Sequence, residues 1–262
     1  MDTMVNHLDL ARYVSEIDAI AIDNGIQLEL CKDFREFRDI RNAFTDRPPI
    51  PPIFDPNFTD IGPGNGFWIK GTNQEGEIVH LQATRRNDIN GISLAEHLHE
   101  LRQLYKLPGL NRDLDRASYA APATKTISGT VCYHGEIWLK GGPDGYRGQG
   151  LASLLPRMLL ALALAEWTPD YVFGFVPTPI AHKGVLAQYG YMHVQPGGIL
   201  WSGIDDEALV NKWLAWLSRE ELIYLMRFSP AAESGPAVSE PPYKEPKARH
   251  DHLSPEAIGA GR

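Results

Sequence analysis

Residues 141–153 read GGPDGYRGQGLAS and run directly into the apolar stretch LLPRMLLALALAEW. The segment carries five glycines in thirteen residues. Each glycine loses more backbone freedom on folding than any other residue. Such a stretch is therefore kept where a chain must turn tightly or let another molecule approach its backbone. Between a strand and a helix, small residues expose consecutive backbone N–H groups, and the helix N-terminus adds a positive partial charge that favours an anion. Two familiar phosphate loops do not fit. A Walker A loop ends in Gly-Lys-Ser/Thr, whereas Gly150 is followed by Leu151 and Ala152. Gly148-Gln149-Gly150-Leu151-Ala152-Ser153 matches the dinucleotide pattern of small residues, but Asp170 precedes the next strand instead of ending it, where the ribose would be met.

Working outward, the 262 residues suffice for one large domain or two small ones, and a 43% hydrophobic content with six Trp and ten Tyr can fill a sizeable core. The net charge of −8 argues against a duplex nucleic-acid binder. Cys31 and Cys132 make no disulfide framework or metal spacing, which fits a reducing compartment. The opening MDTMVNHLDLARYV lacks the apolar core of a signal peptide. MLLALALA, residues 158–165, is too short to span a bilayer. The expectation is a soluble cytoplasmic protein with no metal and no membrane partner, and a homodimer is left open.

Residues 1–25 are expected to form an N-terminal helix, with Leu8, Ala11, Tyr13, Val14, Ile17 and Ile20 on a stripe that stops at Gly25. A strand follows at Ile26–Cys31. Asp33 then caps a helix whose Phe34, Phe37, Ile40, Arg41 and Phe44 share a face. RPPIPPIFDPNFTDIGPGNG, residues 47–66, contains six prolines and reads as a long surface loop. A hairpin over residues 66–85 and an insertion over about 86–125 come next. The insertion holds a helix at 93–105 with a Ser93/Glu96 capping box. Its His97 and His99 are two apart, a poor metal pair. A strand at 126–140 leads into the glycine stretch. Beyond it the pattern gives a helix, a buried strand at 171–176, a short helix over IAHKGVLAQY, a strand at 190–194 and a last strand at ILWSG. The spacing of Leu209, Trp213, Trp216 and Leu217 predicts C-terminal helices within 205–228, capped by Asp205 and Asp206 and, further on, by a Ser218/Glu221 box. Residues 229–262, rich in Pro, Glu, Ala, Ser and Gly, read as a disordered tail.

In this context the loop Arg147-Gly148-Gln149-Gly150-Leu151-Ala152, preceded by Tyr146, resembles the pyrophosphate loop of the GNAT-type N-acyltransferases, written Arg/Gln-x-x-Gly-x-Gly/Ala. Tyr189-Gly190-Tyr191 is similar to the family's closing Gly-Phe segment, and the upstream elements come in family order. The resemblance implies an α/β fold of the α+β type over residues 26–228. Its central sheet would be mixed, mostly antiparallel, with splayed strands and flanking helices. It implies acetyl-CoA or another acyl-CoA as co-substrate and a small-molecule or peptide amine as acceptor. Arg147, Gly148, Gln149, Gly150, Leu151 and Ala152 would hold the pyrophosphate. The strand end near Leu139 and Gly141 would hold the pantetheine arm, in a gap between the fourth and fifth strands.

By the same resemblance Glu136 is the general-base candidate, with His134 two residues earlier on the same strand face. The Pro-rich loop and the insertion would wall the acceptor side. This chain departs from the family at two helix positions, where Pro179 and Leu186 stand in place of Asn and of a proton-donating Tyr, so Tyr189 is the substitute acid. Those losses also fit a non-catalytic binding module. Pro156 raises a structural question, because proline inside a helix costs about 3 kcal/mol. Either the helix runs through it with a kink, or it begins at Pro156 and the glycines precede it as plain loop.

Overall fold

The structure, a computed structural model, describes residues 6–101, 121–146, 148–202 and 208–230. Arg147, Asp205, Asp206, the rest of the insertion and the tail from residue 231 onward lie outside the described residues.

Helix α1 (His7–Asp23) starts at Asn6, whose side chain accepts the Leu8 N–H at 3.1 Å, and buries Leu10, Tyr13, Ile17 and Ala21 at helical spacing. Strand β1 (Gln27–Cys31), helix α2 (Phe34–Ala43) and strands β2 (Gly66–Thr72), β3 (Ile78–Ile89) and β4 (Gly129–Leu139) follow, the strands pairing antiparallel in sequence order. The first residues of the expected insertion thus belong to β3. Helix α3 (Leu94–Leu101) carries the reciprocal capping box, with Ser93 N donating to Glu96 Oε2 at 2.7 Å and Glu96 N donating to Ser93 Oγ at 3.3 Å.

Past the glycine stretch come α4 (Leu151–Trp167), strand β5 (Tyr171–Pro177), the single turns α5 (Thr178–Ala181) and α6 (Val185–Gln188), strands β6 (His193–Ser202) and β7 (Ala208–Ser218), and α7 (Arg219–Leu225). The seven-stranded sheet runs β1-β2-β3-β4-β5-β7-β6, and only β4 and β5 pair in parallel. This is the mixed, mostly antiparallel sheet flanked by helices that the resemblance implied.

Three expectations are corrected. The predicted C-terminal helix at 205–217 is instead strand β7, lying between β5 and β6, and only Arg219–Leu225 is helical behind its Ser218/Glu221 box. Its apolar residues satisfied a helical spacing, but Leu214 packs on one sheet face and Ala215 and Leu217 on the other, so the segment is buried on both sides, as a central strand is. IAHKGVLAQY breaks at Gly184, which takes a φ of 70°, into α5 and α6. The Pro-rich stretch is no plain surface loop: Ile50, Ile53, Phe54 and Ile61 are buried.

The two sheet faces have separate cores. One is aliphatic and packs α1, α4 and α7 through Ile17, Leu155, Leu159, Leu164 and Leu222. The other is aromatic, gathering Phe34, Phe37, Phe54, Trp68, Tyr133 and Phe173 from α2, the Pro-rich stretch and the sheet.

Candidate functional site

The site begins where the sheet comes apart. β4 and β5 are paired only over Val131–Tyr133 and Tyr171–Phe173. Beyond that, β4 continues to Leu139 against β3 alone, and β5 continues to Pro177 against β7 alone. The β3–β4 register also slips between Leu81 and Ala83, and Glu136 sits at the slip with a φ of 56°. A β-bulge of this kind puts two successive residues on one face and re-aims a side chain. Up to the bulge, Cys132 and His134 face the helix α4 side, and after it Leu139 does. Lys140 N donates to Val79 O on β3 at 2.8 Å, so by strand alternation the backbone groups of Leu139 face away from β3, into the opening.

The glycine stretch closes this opening from one end. Gly142 has a φ of 92°, a Cβ on Gly145 would meet the Gly141 carbonyl carbon at 2.5 Å, and Tyr146 N donates to Lys140 O at 3.0 Å. Gly141, Gly142 and Gly145 therefore make a closed turn that brings Tyr146 back onto the end of β4. Gly148 and Gly150 take φ of 93° and 78°, and Gly150 caps α4. The helix starts at Leu151 and runs through the buried Pro156. The alternative start at Pro156 is thus corrected, and the helix N-terminus lies directly on the glycine turn. The N–H groups of Leu151 and Ala152 have no intrahelical acceptor in such a first turn. Gly148, Leu151, Ala152, Leu155 and Pro156 line a cleft of about 430 Å³ together with Trp138, Leu139, His80 and Tyr189. Gln149 is exposed in the same turn and is not in the cleft wall.

Two histidines lie beneath this cleft. Gln82 Nε2 donates to Leu155 O at 2.6 Å, which turns its Oε1 toward His134 Nε2 at 3.1 Å. His134 therefore carries its proton on Nε2, and Nδ1 accepts the Tyr191 hydroxyl proton at 3.1 Å. Burial, and next His80, lower its pKa to about 3, so the ring is neutral and fully engaged. It does not share a face with Glu136, contrary to the alternation expected from sequence, because the bulge intervenes. His80 donates through Nδ1 to Trp138 O at 2.7 Å, and burial lowers its pKa to about 4. That leaves Nε2 as a buried lone pair with no partner among the described residues, in a side chain of the cleft wall.

Glu136 points to the aromatic face. Its Oε2 accepts from Arg41 Nε and, at 3.5 Å, from Arg47 Nη2. Arg41 is 2% exposed and also donates through Nη2 to Pro48 O at 2.9 Å. The two guanidiniums anchor one carboxylate oxygen and leave Oε1 unengaged among the described residues. Lys212 of β7 reaches the group electrostatically. Burial lowers the pKa of Lys212 and of Arg47, and Glu136 opposes that shift in both. Tyr189 lies at the end of α6 in the cleft wall, while Leu186 is buried in the core and Pro179 lies in α5.

Sequence reasoning missed His80, Gln82, Arg47 and Lys212 as members of this region. Arg41 carried a signal that was not weighed: a charged residue on the apolar stripe of α2. Nothing local marks His80 or Gln82, since their places follow from pairing across the sheet. Among the described residues no group of three or more His, Cys, Asp or Glu could hold a metal ion, and no helix is long and apolar enough to cross a membrane.

The splayed mixed sheet, the glycine turn and the helix start beside the opening are the architecture that the resemblance in the sequence implied. No protein-family model matches the chain, and no curated protein matches it. Solved structures similar to it include an aminoglycoside acetyltransferase, AAC(6')-Ib, in complex with coenzyme A and kanamycin, at 12% identity and TM-score 0.40 over 75% of this chain and 96% of that one. Another is spermidine/spermine N-acetyltransferase SpeG from Vibrio cholerae, at 12% identity and TM-score 0.41 over 79% and 99%. The spermidine N-acetyltransferase of that organism in complex with CoA and spermine is similar at 9% identity and TM-score 0.39 over 76% and 99%.

Proposed function

We propose that the chain transfers an acyl group, in the first instance acetyl, from acyl-CoA to an amine. The observation that carries this reading is the cleft beside the end of β4 where it has parted from β5, closed by the glycine turn and the start of α4 and faced by the turns α5 and α6 that follow β5. The residues present suit an acyl-CoA. The free amides of Leu151 and Ala152 at a helix N-terminus suit its pyrophosphate, and the backbone of Leu139 and the orphaned Nε2 of His80 suit the polar groups of its pantetheine arm. Arg147 would add a cation to the same phosphate site. When bound, acyl-CoA supplies an activated thioester carbonyl.

The chain's own contribution is alignment and proton handling. One N–C bond forms and one C–S bond breaks. The acceptor ammonium loses two protons, of which one ends on the thiol and the other in solvent. Glu136, fixed through Oε2 by Arg41 and Arg47, offers Oε1 to the ammonium proton. Tyr189, which lines the cleft, would return a proton to the sulfur. Isothermal titration with acetyl-CoA and a thiol-release assay against amines test this reading; it fails if the purified chain does not bind acetyl-CoA.

A second reading, a CoA-binding module without turnover, is favoured by one observation: the helix position where the family carries its acid holds Leu186, 2% exposed in the core. Micromolar acetyl-CoA binding, with no thiol release against polyamines, aminoglycosides, amino acids and peptides, would establish it over transfer.

A further inference from the structure

The environment of Glu136 holds more positive charge than a lone catalytic carboxylate needs. Arg41, Arg47 and Lys212 converge on it, so three cations face one anion. Asp46, next to Arg47, also attracts it electrostatically, but it is exposed and its charge is screened by solvent. Arg41 has 1% and Arg47 18% of its side chain exposed. In each, the Nη1 group is buried and has no acceptor among the described residues. A buried guanidinium N–H without a partner costs free energy, more so when charged, and the cost is recovered when an acceptor arrives. The Glu136 Oε2 atom is already shared by both arginines, so it does not satisfy these donors.

The position matters as much as the charge. Glu136 and Arg41 sit on the α2 face, Glu136 directly precedes Ile137 and Trp138 of the cleft wall on β4, and Phe44, which ends α2, packs on Trp138 with ring centroids 4.8 Å apart. Lys212 comes from the far side of the opening, on a strand that pairs with the free end of β5 at Pro177. The two unpartnered Nη1 groups and the Lys212 ammonium thus belong to a cluster around Glu136, next along β4 to the cleft wall, and they suit a second anion.

We propose that the amine acceptor itself carries an oxyanion, a carboxylate or a phosphate, which this cluster binds while its ammonium meets Glu136 Oε1. This rests on the acyltransferase reading and narrows it. The cluster binds an amino-carboxylate or aminophosphate and disfavours a polycation, because placing further positive charge beside one buried and two half-buried cations is costly.

The test uses the full chain, with free amino acids, their carboxamides, O-phosphoethanolamine, spermidine and kanamycin as probes. With acetyl-CoA present, an acid is expected to exceed its carboxamide at least tenfold in kcat/KM. That ratio should fall toward one in Arg47→Gln through a raised KM for the acid. Lys212→Gln provides the same reading should Arg47→Gln fold poorly. Relative rates of amino acids and O-phosphoethanolamine separate carboxylate from phosphate. Equal turnover of acid and carboxamide, or preference for spermidine or kanamycin, overturns the proposal. Thermal shift with the same probes and no acetyl-CoA reads the anion site by itself. Stabilisation by acids and not by carboxamides supports it even if acetyl-CoA fails to bind, and no stabilisation by any acid or by O-phosphoethanolamine overturns it.

Discussion

His134 and His80 are buried as neutral rings, and this sets how the protein responds to acid. Burial brings their pKa values to about 3 and about 4 from the ordinary 6.5. Below pH 6.5 the unfolded chain takes up a proton on each ring that the native state refuses, so the stability they contribute is complete above 6.5. It is lost as pH falls, finishing near 4 for His80 and near 3 for His134. For His80 the total is on the order of 3 kcal/mol at 1.36 kcal/mol per unit. Between pH 6 and 4.5 the His134→Gln variant should therefore show a slope of stability against pH shallower by roughly 1.4 kcal/mol per unit, read from urea midpoints. Equal slopes would mean that the ring is charged in the native state. Ala152 is the other informative residue. It stands in the first turn of α4 and in the cleft wall, partly buried. Ala152→Glu places a carboxylate at a helix N-terminus, which helps the helix by about 0.3–1 kcal/mol while competing with a phosphate for the same amides. The expected outcome is an unchanged or raised unfolding midpoint with acetyl-CoA affinity down at least tenfold. Retained affinity would place the pyrophosphate elsewhere.

At the scale of elements, β7 is the sharpest test of the fold. Ala215 is fully buried in it, paired with Gly174 of β5 on one side and Val194 of β6 on the other. Gly174 has no spare room either, since a Cβ there would meet the His134 carbonyl oxygen at 2.9 Å. Ala215→Leu should thus cost 1–3 kcal/mol in roughly the manner of other overpacked cores, measured by urea unfolding. On an amphipathic surface helix the same change would be near neutral. That contrast also explains why sequence misread the segment. Trp213, Leu214, Ala215, Trp216 and Leu217 form a continuous apolar run, and periodicity alone cannot separate a doubly buried strand from a helix. Elements whose signals are local were legible: the Asp33 cap, the two capping boxes, the hairpin and the glycine turn before α4. What depends on cross-sheet register was not. Gly135 marks a bend in the strand at this point, but that the bulge turns Glu136 away from the face of His134 follows from the pairing with β3.

In the proposed reaction the two ligands fall on opposite sheet faces. The α4 face presents the glycine turn and the cleft, and the α2 face presents Glu136 with its three cations, on either side of the strand β4 that has parted from β5. If that division holds, a change at the helix N-terminus and a change in the cation cluster act through different ligands and share no contact. Energies of such separated sites add within about 0.3–0.5 kcal/mol, whereas sites in one network couple by 0.5–3 kcal/mol. Titrating acetyl-CoA into Ala152→Glu, Arg47→Gln and the double variant should therefore give a double loss equal to the sum of the single losses. The same additivity should appear in kcat/KM for an anionic amine, with Ala152→Glu acting on the acyl-CoA KM and Arg47→Gln on the amine KM. A coupling above about 1 kcal/mol in the titration would show that Arg47 touches the acyl-CoA. The cation cluster would then belong to the co-substrate, and the acceptor would have to be sought on another wall of the opening.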